Sequence, residues 1–180
     1  MESLVELLLN NRTLSGKGMK LVRSRQEERF VSYEELYDRA LKVLYRLQFS
    51  GLAQGDELIL QIDDEEHFLY IFWACIAGGI IPVPVSTGGN DEHRLKLYKI
   101  HENLANPYLA IEQRWMTKLE ENETPGYSLS VLETRSLYVE DLVEGLDYHL
   151  PYGKLASPNR ADMAFIQFSS GSTGTPKGSC

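Results

Sequence analysis

Apolar residues recur along the chain in two rhythms, one of helices and one of strands. Leu4, Val5, Leu7, Leu8 and Leu9 make a short apolar helix that Asn10-Asn11 would stop. Met19 to Arg23 and Arg29 to Ser32 read as two short strands around a turn at Ser24 to Glu28, a hairpin without the Asn-Gly pair of the tightest turns. Ser32 followed by Glu35 is a capping box, after which Leu36, Ala40, Leu44 and Leu47 repeat at helical spacing until Gly51 ends the helix. Gly55-Asp56 then leads into Glu57 to Ile62, an apolar run of strand length that suits a strand buried in a parallel sheet.

Asp63, Asp64, Glu65 and Glu66 come next. Four acids in a row could form a metal or acid/base cluster, but the preferred reading is a helix start, where the backbone dipole favours negative groups. From Phe68 to Val85 every residue is apolar, Gly or Pro, and these eighteen residues reach the crude length of a membrane span. Gly78-Gly79, Pro82 and Pro84 break the run into a buried helix from about His67 to Ala77 and a strand Ile80 to Val85 on a sheet edge or at a turn. Thr87 to Asn90 is a polar loop, and Leu97, Ile100 and Leu104 mark one side of a helix that ends before Asn106-Pro107.

The pattern continues with a strand Tyr108 to Ile111, a helix near Gln113 to Glu121 and a Pro125-Gly126 turn. A strand Ser128 to Leu132 and a helix near Tyr138 to Glu144 follow, then a surface connection over 150–162 and a strand Met163 to Phe168. Short β runs alternating with helices predict the α/β class: a three-layer, mostly parallel sheet with helices on both faces, plus the short N-terminal helix and β-hairpin.

Composition narrows the function. The chain of 180 residues is one domain's worth, enough to bury about 70% of its unfolded surface. A net charge of −8, dispersed along the chain, lacks the footprint of a nucleic-acid or anionic-membrane binder. Cys75 and Cys180 stand far apart in unlike contexts, so neither a disulfide framework nor a Cys-x-x-Cys site is indicated. The acidic start Met1-Glu2-Ser3 does not read as a signal peptide, and a reducing cytoplasm is the expected home. His67, His93, His101 and His149 form no zinc pattern, and Ser170 and Ser172 lack the surroundings of a hydrolase nucleophile. The basic residues His93, Arg94, Lys96 and Lys99 read as a solvated helix surface. No catalytic residue and no metal ligand are identified.

The most specific chemistry lies in the final stretch, Phe168-Ser169-Ser170-Gly171-Ser172-Thr173-Gly174-Thr175-Pro176-Lys177-Gly178. Glycines let backbone N–H groups converge on one point, hydroxyls add adaptable donors, and a lysine supplies a mobile positive charge: the makings of a phosphate cradle. A Walker loop needs glycine before the lysine and Ser or Thr after it, where Pro176 and Gly178 stand here. The spacing of Gly171, Gly174 and Gly178 also fails the dinucleotide fingerprint. A flexible tail has similar composition, but Pro176-Lys177-Gly178 and the apolar strand in front argue against it.

This stretch resembles the phosphate-binding signature of the adenylate-forming superfamily, which includes acyl-CoA synthetases, fatty acyl-AMP ligases and the adenylation domains of peptide-synthetase assembly lines. Their pattern is an apolar strand, an aromatic, then T/S-S-G-S/T-T-G-x-P-K-G, and residues 166–178 match each defining position. Trp73 to Ser86 is similar to a second block of that superfamily, and Val31 to Leu36 to an early one. The resemblance implies a carboxylic acid activated with ATP and magnesium to an acyl-adenylate and pyrophosphate. It implies that Ser169, Ser170, Gly171, Ser172, Thr173 and Gly174 wrap the phosphates, while Lys177 holds the loop or neutralises charge.

Pro82 to Ser86 and Asn90 to Leu95 look most like activation domains at the head of polyketide or mixed peptide–polyketide assembly lines. That implies a phosphopantetheine-bearing carrier protein as acyl acceptor, with CoA as the alternative. Residues 1–180 would then be the N-terminal portion of an adenylation domain, with 163–180 as its strand and phosphate-binding loop, and would be catalytically silent alone. A different expectation is a noncatalytic scaffold or partner-binding module, marked by apolar surface left bare. The loop itself is expected to be mobile without its ligand.

Overall fold

The computed structural model describes residues 4–24, 27–88, 90–157, 163–170 and 176–179. In chain order the elements are α1 (Leu4–Asn11), β1 (Gly18–Ser24), β2 (Glu27–Ser32), α2 (Tyr33–Phe49), β3 (Glu57–Gln61), α3 (Glu65–Gly78), β4 (Ile81–Pro84) and α4 (Asp91–Glu102). Then come β5 (Tyr108–Ile111), α5 (Gln113–Glu121), α6 (Ser130–Glu133), β6 (Ser136–Tyr138), α7 (Val139–Val143), β7 (Gln167–Ser170) and β8 (Pro176–Ser179).

β3, β4, β5 and β6 form one parallel sheet in the order β4-β3-β5-β6, while β1 pairs with β2 and β7 with β8, both antiparallel. Alternation along the strands sends side chains to two apolar layers. Leu58, Leu60 and Ala110 meet α2, α3 and α7 on one face, whereas Ile59, Leu109 and Ile111 meet α4 and α5 on the other. That is the three-layer arrangement expected from the β-α alternation.

The helix boundaries follow local chemistry. Ser32 Oγ accepts the Glu35 N–H at 3.0 Å and starts α2, but the Glu35 carboxylate does not complete the box; it accepts from Arg29 and from the Tyr70 hydroxyl instead. Asp64 caps α3 through the N–H groups of Glu66 and His67 at 3.0 and 2.9 Å, and Gly79 ends that helix in the left-handed region at φ 65°. The acids at 63–66 therefore open a helix, as their position suggested.

Two strands differ from the sequence reading. Ser128 to Leu132 is not extended: Val131 N–H donates to Ser128 O and Leu132 N–H to Leu129 O, a helical turn that becomes α6. The alternation of Leu129, Val131 and Leu132 also satisfies an i, i+3 pair, and Leu129 and Leu132 both pack into the second layer. The fourth strand of the sheet is β6, four residues further on.

Nor do Met163 to Phe168 enter the parallel sheet; regular structure begins at Gln167, in the separate β7–β8 hairpin. The reason lies in β4. Its Ile81 and Val85 N–H groups donate toward β3, which turns the nitrogens of Pro82 and Pro84 outward, where neither can donate. That edge offers carbonyls alone, and Ile166 N–H takes one of them, Pro82 O, at 3.1 Å. Residues 151–157 cross α2 and α3 without regular structure, and buried Gly153 donates to Leu41 O at 2.8 Å.

Candidate functional site

The hairpin carrying the glycine- and hydroxyl-rich stretch is held from below by apolar contact. Ile166 is buried and Phe168 packs on the second layer beside β4 and α4, while Phe165 meets Phe72 of α3 edge-on with ring centroids 6.3 Å apart. Above these anchors the register pairs Phe168 with Gly178, Ser169 with Lys177 and Ser170 with Pro176. Ser169, Ser170 and Lys177 thus stand at the end of the paired strands that adjoins residues 171–175. Gly171, Ser172, Thr173 and Gly174, together with the mobility expected of them, lie outside the described residues. The carboxyl ends of the parallel strands are therefore not the origin of this loop; it springs from a hairpin fastened to the edge of the sheet.

The carboxyl ends of β3, β4 and β5 carry a different group of polar residues, of which the sequence reading singles out Asp63 and Asp64 but not Glu112 or Arg114. Glu112, just past β5, is buried and accepts the N–H groups of Asp63 and Asp64, each at 3.1 Å. Arg114 donates to Glu112 at 2.7 Å and to Asp63 at 2.8 Å, and Thr87 donates to Asp63. Glu140, in the first turn of α7, accepts the Gln113 N–H at 3.1 Å. The hydrogen bond that Arg114 donates to Glu112 holds the pKa of its guanidinium above the ordinary range. The signal available in the sequence was an acid one residue past a strand with an arginine two residues on. Among the described residues no group of three or more His, Cys, Asp or Glu is placed to hold a metal ion.

Other ionisable groups serve the fold. Cys75 is fully buried and burial pushes its thiol up, which disfavours the thiolate a nucleophile needs. Burial and hydrogen bonds to Glu66 and Glu35 likewise push the Tyr70 phenol up. Among the described residues no helix is long and apolar enough to cross a membrane.

Comparison with known proteins adds a family pattern and several relatives. The pattern of the family described as "AMP-binding enzyme" matches residues 16–180. Microperfuranone synthase of Emericella nidulans is 29% identical over 153 residues, which cover 82% of this chain and 15% of that protein. The solved structure of McyG A-PCP complexed with phenylalanyl-adenylate superposes with a TM-score of 0.81 at 29% identity, covering 98% of this chain and 32% of the other. The fatty acyl-adenylate ligase from L. pneumophila, solved in complex with acyl adenylate and pyrophosphate, gives a TM-score of 0.79 at 25% identity over 99% of this chain and 30% of the other. The chain thus spans less than a third of each of these relatives.

Proposed function

The chain belongs to the AMP-binding enzyme family, and on that footing we propose that residues 1–180 are the N-terminal portion of a ligase that activates a carboxylic acid as its acyl-adenylate. ATP supplies the adenylate. The acid's carboxylate oxygen forms a bond to the α-phosphorus, the bond from that phosphorus to the bridging oxygen breaks, and pyrophosphate leaves with the electron pair. Negative charge grows on the leaving group, so donors fixed around the β- and γ-phosphates stabilise the transition state more than the ground state.

The observation that carries this reading is the hairpin register, which sets Ser169 opposite Lys177 and Ser170 opposite Pro176 on either side of the glycine-rich stretch. Apolar contacts of Ile166 and Phe168 anchor the strand that leads into that stretch. In the proposal, Ser169, Ser170, Gly171, Ser172, Thr173 and Gly174 wrap the phosphates, and Lys177 neutralises charge or holds the loop. Magnesium would screen the phosphate oxygens, and among the described residues no group of three or more His, Cys, Asp or Glu is placed to hold it without them.

The acyl group would pass to the phosphopantetheine thiol of a carrier protein, with CoA as the alternative acceptor. Support for the carrier comes from the A-PCP relative and from the blocks at 82–86 and 90–95. The isolated chain would be catalytically silent, since it spans under a third of the solved relatives. ATP–pyrophosphate exchange tests this: none is expected from the 180 residues alone, and exchange is expected from a domain that contains them. A domain that loads free CoA and no carrier protein would contradict the acceptor.

A further inference from the structure

The β7–β8 hairpin stands on one unit of the sheet, β4 together with the helix that follows it. Ile166 N–H donates to Pro82 O at 3.1 Å, β7 lies against β4, and β8 lies against α4. Phe168 and Val85 both pack on the second apolar layer, to which Leu97 and Tyr98 of α4 belong. The hairpin is a sheet of its own, because the prolines of β4 offer it no donors for a full ladder. Whatever places β4 and α4 therefore places the register that sets Ser169 opposite Lys177.

The connection from β4 to α4 is tied to the sheet through Thr87. β4 stays paired with β3 as far as Val85, whose N–H donates to Leu60 O at 3.1 Å. Two residues on, the Thr87 hydroxyl donates to Oδ1 of Asp63, in the connection after β3. Asn90 then opens α4 by accepting the His93 N–H at 2.9 Å. Asp63 is not free to follow Thr87. Its other carboxylate oxygen takes Arg114 at 2.8 Å, its N–H is held by buried Glu112 at 3.1 Å, and Arg114 donates to Glu112 at 2.7 Å. A fixed acceptor thus meets a hydroxyl carried by the unit on which the hairpin stands.

We propose that Thr87 is a positioning residue for adenylate formation: its hydrogen bond to Asp63 fixes β4 and α4, and with them the hairpin, against the carboxyl ends of β3 and β5. The inference rests on the phosphate-binding reading given above. In this role Thr87 acts through the hairpin, so its loss shows in the handling of ATP and not in that of the acid. A contact that only stabilised the fold would, when lost, lower the amount of active enzyme and leave every KM where it was.

ATP–pyrophosphate exchange by a complete domain that contains these residues tests the role, with KM measured separately for ATP and for the acid. Thr87→Val, which replaces the hydroxyl by a methyl, is expected to raise KM for ATP about fivefold or more, the worth of one hydrogen bond, and to leave KM for the acid unchanged. Thr87→Ser keeps the donor and is expected to stay within about twofold of wild type. Asp63→Ala should raise KM for ATP as well, and the double variant should match Asp63→Ala, since one contact cannot be lost twice. Thr117→Val is the control: that hydroxyl donates to Gln113 O at 3.1 Å within α5, and both KM values are expected to hold. An unchanged KM for ATP in Thr87→Val, a fall in kcat alone, an equal rise in Thr87→Ser, or additive effects in the double variant would each overturn the positioning role while the adenylation reading stood. No exchange by the wild-type domain would overturn both.

Discussion

Glu112 shows what a single buried charge can do for the sheet. Its carboxylate satisfies the N–H groups of Asp63 and Asp64 and the Arg114 guanidinium at once, so it ties the connection after β3 to the connection after β5. Glu112→Ala would leave those donors without their acceptor, and a loss of about 3 kcal/mol in urea denaturation is expected. Tyr152 supplies a test by pH. Its partial burial, and then the hydrogen bond to the Asp38 carboxylate, push the phenol up to about 12 from an ordinary 10. The folded pKa is the higher one, so this contribution is complete below pH 10 and is lost as pH rises through 12. Tyr152→Phe should remove it, and the stability gap between wild type and variant should narrow between those two pH values. Asp64 as a helix cap was legible because the backbone dipole acts within one turn of sequence. Glu112 was not, because its partners lie 48 and 49 residues away and nothing local marks a carboxylate for burial.

Elements that carry their own signals were read correctly, and those set by their neighbours were not. α2 and α3 have a cap at one end and a glycine at the other, and both run close to their expected lengths. Ser128 to Leu132 has too few residues to separate period 2 from period 3.6, and packing of Leu129 and Leu132 decided for the helix. β7 was displaced by an effect outside itself, the prolines of β4, which deny an adjoining strand the donors it would need. Because the Pro82 nitrogen points away from β3, Pro82→Ala should change stability by less than about 1 kcal/mol, measured in urea. Gly153 is the opposite case. A Cβ there would meet Tyr45 N at 2.6 Å and the Leu44 carbonyl carbon at 2.7 Å, both backbone atoms that cannot step aside. Gly153→Ala should therefore cost about 1–3 kcal/mol by the same assay.

For the whole molecule, the sheet and its two apolar layers form a base, and the hairpin of β7 and β8 is fastened to one edge of that base. The class of fold and the family were both legible, since alternation of β and α segments and a contiguous motif are local properties. How the motif is presented was not, because it depends on which strand edge still has groups to share. The central claim is that this motif serves adenylate formation in a larger domain. ATP–pyrophosphate exchange measures it most directly, comparing a complete domain that contains these residues with the same domain carrying Lys177→Ala and with the 180-residue chain. The expected result is acid-dependent exchange by the first, a loss of roughly tenfold or more in the second, and none from the third. Exchange by the 180 residues alone, or full exchange in the lysine variant, would contradict the account.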